Sequence, residues 1–306
     1  MPRRPPRAPW TPPERPLVVA HRGASQDAAE HTLAAYVAAI EAGADGLECD
    51  VRLTRDGHLV CVHDRTVNRT SDGRGVVSEF DLAQLESLDF SSWHGELPAS
   101  ADLLVSDSPY LAGVAPDRQS SGGRVLTLEH LLDLVADTAR PLRLLIETKH
   151  PTRYGGLVEK TLVETLDRYG WAGPAGPPAT LHEPVDAANP VVVMSFAPTA
   201  LRRVKLLAPQ VPTALLLERL VPRLPRGLLP AGVPIAGPGI ALLRAEPALV
   251  ARLHQRGYGV YAWTVDEPAD VDLALGLGVD AVITNRPASV LARIGGKDGP
   301  QRPPGG

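Results

Sequence analysis

Aromatic residues are scarce in this chain, with three Phe, four Trp and six Tyr making up 4% of its 306 residues. A core with so few rings must be filled by Val, Leu, Ala and Ile, and the 44% hydrophobic fraction supplies them. Cysteine is scarcer still. Cys49 and Cys61 both sit in apolar, strand-like runs, which argues against a disulfide framework and for reduced core thiols in a cytoplasmic chain. Positive charge is not in excess. The 31 Lys and Arg against 35 Asp and Glu leave a formal net charge of −4, so the basic field of a nucleic-acid partner is missing. No stretch approaches the roughly 18 apolar residues that span a bilayer. The Pro- and Arg-rich start likewise has no apolar segment of the kind found in a classical signal peptide. These absences predict a soluble, cytoplasmic protein with no nucleic-acid partner and no stable membrane insertion.

Proline crowds the ends of the chain, with seven in the first sixteen residues. Residues 1–15 read as a disordered leader and residues 295–306 as a flexible Gly- and Pro-rich tail. Between them, residues 16–294 alternate strand-type and helix-type segments. The expected strands are Leu17–Ala20, Gly46–Leu53, Arg143–Thr148, Val191–Ser195, Thr213–Leu217, Val233–Ala236, Gly259–Thr264 and Ala281–Thr284. Helical spacing marks Thr32–Ala42, with Thr32 as N-cap and Gly43 as the stop. It recurs at Thr127–Ala136, Leu157–Tyr169, Ala200–Ala208, Ala248–Gln255 and Ala269–Leu277. Near-continuous apolar strands imply a parallel sheet covered by helices. Eight such units imply an α/β fold closed as a single (β/α)8 TIM barrel. Leu59–Val62 is an extra strand, turned back on the second through Asp56-Gly57. A polar excursion over about 90–123 reads as a small insertion after that hairpin rather than a second domain.

Catalytic groups of a parallel barrel come from the C-terminal ends of its strands, and here those ends carry reactive side chains. The first strand runs into His21-Arg22-Gly23. The second carries Glu48 and Asp50, whose two-residue spacing turns both carboxylates into the mouth and Cys49 toward the helices. The hairpin strand ends in His63-Asp64, the third barrel strand in Glu147-Thr148-Lys149, and the seventh near Trp263-Thr264. Three carboxylates converging from two strands repel one another if left unpaired. One divalent cation, Mg2+ or Ca2+, relieves that repulsion with oxygen ligands and leaves positions for substrate oxygens. Glu48, Asp50 and Glu147 are thus candidate metal ligands. Arg22 and Lys149 add two positive charges, and one phosphodiester anion brings the sum to zero. His21 and His63 complete the set, one able to accept a proton and the other to donate one.

The ordered series resembles the glycerophosphodiester phosphodiesterase family. It comprises His21-Arg22-Gly23, Glu30-His31-Thr32, Gly43-Ala44-Asp45, Glu48-Cys49-Asp50, Thr54-Arg55-Asp56-Gly57, His63-Asp64, Glu147-Thr148-Lys149 and Trp263-Thr264-Val265. The resemblance runs from about Pro16 to Ala288. It implies a barrel with a small insert and one divalent ion on Glu48, Asp50 and Glu147. It also implies His21 and His63 as the acid–base pair, with phosphate on Arg22 and Lys149. The implied reaction hydrolyses a small glycerophosphodiester to sn-glycerol 3-phosphate and the head-group alcohol. Four positions depart from the family pattern: Ala29 and His31, where Ala29-Glu30-His31-Thr32 replaces a frequent Pro-Glu-Asn-Thr, Asp266 where Asn is frequent, and Asn285 where Asp is frequent. Glu30 is retained and is expected to touch substrate, while positions 266 and 285 are expected to bear on substrate fit rather than chemistry. Trp263 fits either core packing or a wall for the glycerol moiety.

Three other readings compete. A lysophospholipase-D-like enzyme needs an apolar insert surface, for which the excursion offers Trp93, Leu103, Leu104, Tyr110 and Leu111. A non-catalytic phosphodiester-binding barrel would lack a ligand or a histidine. A metal-free phosphoinositide-cleaving barrel would not need three carboxylates. His94, His130, His150, His182 and His254 have no reactive company in the sequence and are expected at the surface. Oligomeric state is not encoded in any feature of the chain.

Overall fold

The apolar runs become strands buried on both faces, as a helix-covered parallel sheet requires. A computed structural model describes residues 15–94, 123–173, 190–218 and 229–295. Its strands are β1 (Leu17–His21), β2 (Gly46–Leu53), β3 (Leu59–Cys61), β4 (Arg143–Thr148), β5 (Val191–Ser195), β6 (Thr213–Leu217), β7 (Ile235–Pro238), β8 (Gly259–Ala262) and β9 (Ala281–Thr284). Parallel pairing runs β1, β2, β4, β5, β6, β7, β8, β9 and back to β1 through Leu17↔Ala281 to Ala20↔Thr284. The fold is a closed eight-stranded parallel barrel. β3 lies antiparallel on the upper end of β2, with Val51 opposite Cys61 and Leu53 opposite Leu59.

Alternation along each strand separates two cores. On β4, Leu145 points into the barrel with Val19 and Met194, while Leu144 and Ile146 point outward to Leu131 and Leu162 of the helical layer. Cys49 faces outward in that same layer, and Cys49 and Cys61 are both free and buried. Full burial of a side chain such as Leu145 stabilises the fold by about 1.5–3 kcal/mol.

The helices are α1 (Leu33–Glu41), α2 (Leu82–Glu86), α3 (Leu128–Asp137), α4 (Leu157–Arg168), α5 (Pro198–Leu207), α6 (Ile240–Ala245), α7 (Ala248–His254), α8 (Pro268–Leu277) and α9 (Pro287–Gly295). The first begins as the sequence predicts: Thr32 Oγ1 accepts the Ala35 N–H at 3.2 Å, and Gly43 at φ 88° ends it. Among the described residues, α2, α6 and α9 were not expected; the first two, at five and six residues, are too short to display two turns of periodicity. β7 starts two residues later than expected because Pro234 has no N–H for the ladder. None of the described helices is long and apolar enough to cross a membrane.

The stretch after β3 that leads into and out of the excursion forms a small core of Val60, Val62, Val67, Val77, Leu85, Phe90 and Val125. The two ends of the excursion meet where Phe90 N–H donates to Gly123 O at 2.6 Å. Trp93 is buried there. The leader, the tail beyond Gly295, and residues 95–122 with Leu103, Leu104, Tyr110 and Leu111 lie outside the described residues, as does His182.

Candidate active site

Strand register brings the carboxylates together. His21 at the end of β1 is level with Glu48 on β2, and two residues on, Asp50 is level with Glu147 on β4. Since Glu48 and Asp50 share one strand face, all three carboxylates converge, with ligand oxygens within 4.8 Å of one another. They are buried, at 2%, 1% and 7% exposure.

Cations enclose this cluster. Lys149 Nζ lies 2.9 Å from Glu147 Oε1 and 3.2 Å from Asp50 Oδ1. Arg22 Nε lies 3.0 Å from Asp50 Oδ2, and Arg22 Nη1 donates to Glu30 Oε1 at 3.1 Å. That reach depends on an unusual turn: Arg22 has φ 58° and His31 has φ 59°. Left-handed conformations at non-glycine residues cost about 1–3 kcal/mol each and persist where surroundings over-determine them. Here His31 N–H donates to Arg22 O at 3.0 Å, and Arg22 N–H lies 3.0 Å from Glu48 Oε2. Gly23 follows at φ 87°, where a Cβ would come within 2.7 Å of Ala35 backbone.

The electrostatics report a site short of positive charge. Burial, then repulsion from Asp50, pushes Glu48 well above the usual carboxylate range. The same two causes push Glu147 up to about 7. Burial opposes ionisation of Asp50 too, but Lys149, Arg22 and the His31 hydrogen bond outweigh it and hold Asp50 low. Asp50 Oδ1 is a buried oxygen faced by the Lys149 ammonium at 3.2 Å. An all-oxygen donor set with two carboxylates resisting ionisation fits a hard divalent cation.

Each histidine has a distinct partner. Asn285 Nδ2 donates to Asp266 Oδ2 at 2.7 Å, so its Oδ1 faces His21 Nδ1, also at 2.7 Å. That hydrogen bond puts the proton on Nδ1 and leaves the Nε2 lone pair toward the site, 4.0 Å from Glu48 Oε2. Burial, then Arg22, lowers His21 to about 3. His63 Nδ1 instead meets Asp64 Oδ1 at 2.7 Å, and Arg69 Nε donates to Asp64 Oδ2 at 2.8 Å. Burial lowers His63, with Asp64 working against it.

These groups line one pocket of about 150 Å³ with Met194, Phe196, Leu216, Glu218, Thr264 and Ile283. Of the site residues expected from sequence, His21, Arg22, Glu48, His63, Glu147, Lys149 and Trp263 line it. Asp50 lies buried between the Glu48 and Glu147 carboxylates. Glu30 sits behind, 4% exposed, accepting from Arg22 and from both Arg69 Nη atoms at 2.8 Å. Burial resists its charge, but Arg22 and Arg69 prevail and hold it down at about 2. Trp263 is both core and wall: it packs on the barrel interior, meets Phe196 edge-on at 5.4 Å and lines the pocket.

Several contributors escaped the sequence reading. Asn285 contacts His21 directly and Asp266 holds the Asn285 amide, a pairing that the sequence did not display. His31 bridges Asp50 Oδ2 at 3.0 Å and Tyr36 Oη at 2.8 Å, so it does more than shape a helix start. Phe196 and Glu218 each follow directly on a barrel strand, the position that marks active-site residues in this architecture. Two histidines expected at the surface are half-buried and paired, His150 Nε2 with Glu159 Oε1 at 2.8 Å and His254 Nε2 with Asp280 Oδ2 at 3.0 Å. His94 is half-buried beside Trp93, at 5.9 Å between rings.

Comparison with known proteins follows the same lines. The glycerophosphoryl diester phosphodiesterase family matches residues 21–289. A Mycobacterium tuberculosis protein named probable glycerophosphodiester phosphodiesterase 1 is 43% identical, covering 90% of this chain and 92% of its own. The glycerophosphodiester phosphodiesterase of Caldanaerobacter subterraneus subsp. tengcongensis is 32% identical over 92% of this chain and 99% of its own. Among solved structures, an Oleispira antarctica phosphodiesterase in complex with the product sn-glycerol-3-phosphate superposes with a TM-score of 0.68. It is 26% identical and covers 92% of this chain and 97% of that one.

Proposed function

Because the chain belongs to the glycerophosphoryl diester phosphodiesterase family and is an enzyme of that kind, we propose that it hydrolyses glycerophosphodiesters to sn-glycerol 3-phosphate and the head-group alcohol by acid–base catalysis between His21 and His63. The observation that carries this reading is the meeting of three carboxylates, two cations and two differently partnered histidines in one small pocket.

Glu48, Asp50 and Glu147 would hold one divalent cation, Mg2+ or Ca2+, which supplies Lewis-acid stabilisation of the phosphoryl oxygens. Lys149 and Arg22 bind and orient the phosphate, aimed at the charge that develops during transfer. Glu30 acts through Arg22, holding that guanidinium from behind at 3.1 Å. The edge-on Trp263–Phe196 pair gives the glycerol carbons an apolar wall. Glu218 at the rim offers an acceptor to the glycerol hydroxyls.

The histidine roles follow from their partners. A neutral amide stabilises an imidazolium less than a carboxylate does. His21, bonded to Asn285, is therefore the base that takes a proton on Nε2 from an attacking water, or from the glycerol hydroxyl with water then opening the cyclic phosphate that forms. His63, bonded to Asp64, carries the proton that the departing alkoxide receives. The buried thiols of Cys49 and Cys61 support a reducing, cytoplasmic setting.

The test is product identification on glycerophosphocholine. Glycerol phosphate plus choline is expected, while phosphocholine plus free glycerol would assign cleavage to the other P–O bond and overturn the reading.

A further inference from the structure

A second recess shares the barrel mouth. It has a volume of about 330 Å³, and its charged lining is Arg52, Arg65, Arg153 and Lys149 against the single carboxylate of Glu79. Lys149 lines both recesses. Arg52 donates from Nε and Nη2 to the backbone carbonyl of His63, at 3.0 and 2.7 Å. The cleft thus begins directly behind the proposed general acid.

Its charge is poorly balanced. Arg153 Nη1 is 3.9 Å from Glu79 Oε1, a loose pair. Among the described residues, no carboxylate forms an ion pair with Arg52 or Arg65. Low-dielectric walls bearing one sign of charge concentrate counter-ions. Guanidinium forks match phosphate and carboxylate oxygens two at a time. One wall is braced, since Tyr154 Oη donates to Ser78 O at 3.0 Å and Arg153 lies over the Tyr154 ring at 5.9 Å. The volume falls in the range of about 300–1,000 Å³ typical of small-molecule sites.

If His63 protonates the departing oxygen, the head group must leave past His63, and the space beside that path is this basic cleft. We propose that the cleft is a head-group subsite selecting alcohols that carry a second anionic group, above all a phosphate monoester. The assignment rests on glycerophosphodiester hydrolysis with His63 as the acid. Arg65 and Arg153 are its selective members, because both are exposed and neither touches the catalytic groups.

The experiment compares kcat/KM of the full chain on glycerophosphoinositol and on glycerophosphoinositol 4-phosphate, which differ by one phosphate. Glycerophosphoserine against glycerophosphoethanolamine repeats the comparison for a carboxylate. Each exposed arginine–phosphate pair is expected to contribute roughly fivefold, mostly in KM and decreasing as salt rises. Arg65→Glu with Arg153→Glu should remove or reverse the phosphate preference, read as the ratio between the two substrates. Equal kcat/KM in the unsubstituted enzyme, or a preference that survives the double charge reversal, overturns the subsite. If the double variant does not fold, a salt-independent preference in the unsubstituted enzyme overturns it instead. Hydrolysis of neither substrate would overturn the parent reading; hydrolysis of only the unphosphorylated one would overturn the subsite alone.

Discussion

Replacing Asp64 with Asn isolates what a carboxylate does for His63. Asp64 Oδ1 meets His63 Nδ1 at 2.7 Å, and Arg69 Nε anchors Oδ2 at 2.8 Å. An amide of the same shape keeps an acceptor near Nδ1 but removes the charge that stabilises an imidazolium. Hydrogen bonds to charged groups contribute about 1.5–3 kcal/mol against about 0.5–1.5 for neutral ones. The side chains of His63 and Asp64 are 33% and 30% exposed, so solvent screens the pair and keeps the loss near the middle of that difference, well below its upper limit of about 2.5 kcal/mol. A loss of about 1.4 kcal/mol lowers the affinity of His63 for its proton about tenfold. Choline leaves as a poor alkoxide and needs that proton, so kcat/KM on glycerophosphocholine should fall about tenfold at neutral pH. The high-pH limb of the profile should move down by about one unit, since a weaker imidazolium loses its proton at lower pH. A nitrophenyl glycerophosphodiester has a good leaving group and should lose less than about twofold. Stopped-time assays on both substrates from pH 6 to 9 read all three effects. Equal losses on both substrates, or an unmoved basic limb, would refute the assignment of His63 as the acid.

Two further outcomes follow from the carboxylates. Added Mg2+ or Ca2+ should restore activity lost to chelator and raise Tm with concentration, because a ligand that binds only the folded state stabilises it; Glu147→Gln should abolish the Tm rise, and a chelator-insensitive enzyme would sink the metal reading. Glu30, buried and held at about 2 by Arg22 and Arg69, contributes on the order of 3 kcal/mol that is fully present above its unfolded value near 4.5 and disappears as pH falls through the folded value. The stability gap between the natural chain and Glu30→Gln, from urea midpoints, should therefore be flat above about pH 5 and close toward pH 2; a gap independent of pH would refute it.

Much of the barrel was legible because local pattern suffices to write a strand. β2, β4, β5, β6 and β9 fall on the residues that apolar runs predicted. The two-residue spacing of Glu48 and Asp50 correctly turned both inward and Cys49 outward. Short elements were harder. α2 shows its capping box of Asp81 and Gln84 to a reader who looks for it, but five residues carry no amphipathic period.

The sequence by itself determined which side chains stand at strand ends, because a strand's period and its polar terminus are encoded within a few neighbouring residues. It could not determine the partners those side chains would have. His21 and Asn285 are separated by 264 positions and meet only because β9 closes on β1. Arg69 reaches Glu30 across 39 positions, from a stretch after β3 that no helix or strand period describes. Burial likewise depends on the whole chain: the walls that lower His21 to about 3 and raise Glu147 to about 7 come from every part of the barrel. Tertiary structure therefore decided the charge state and hydrogen-bond partner of each group, since desolvation and long-range pairing exist only once the barrel has closed.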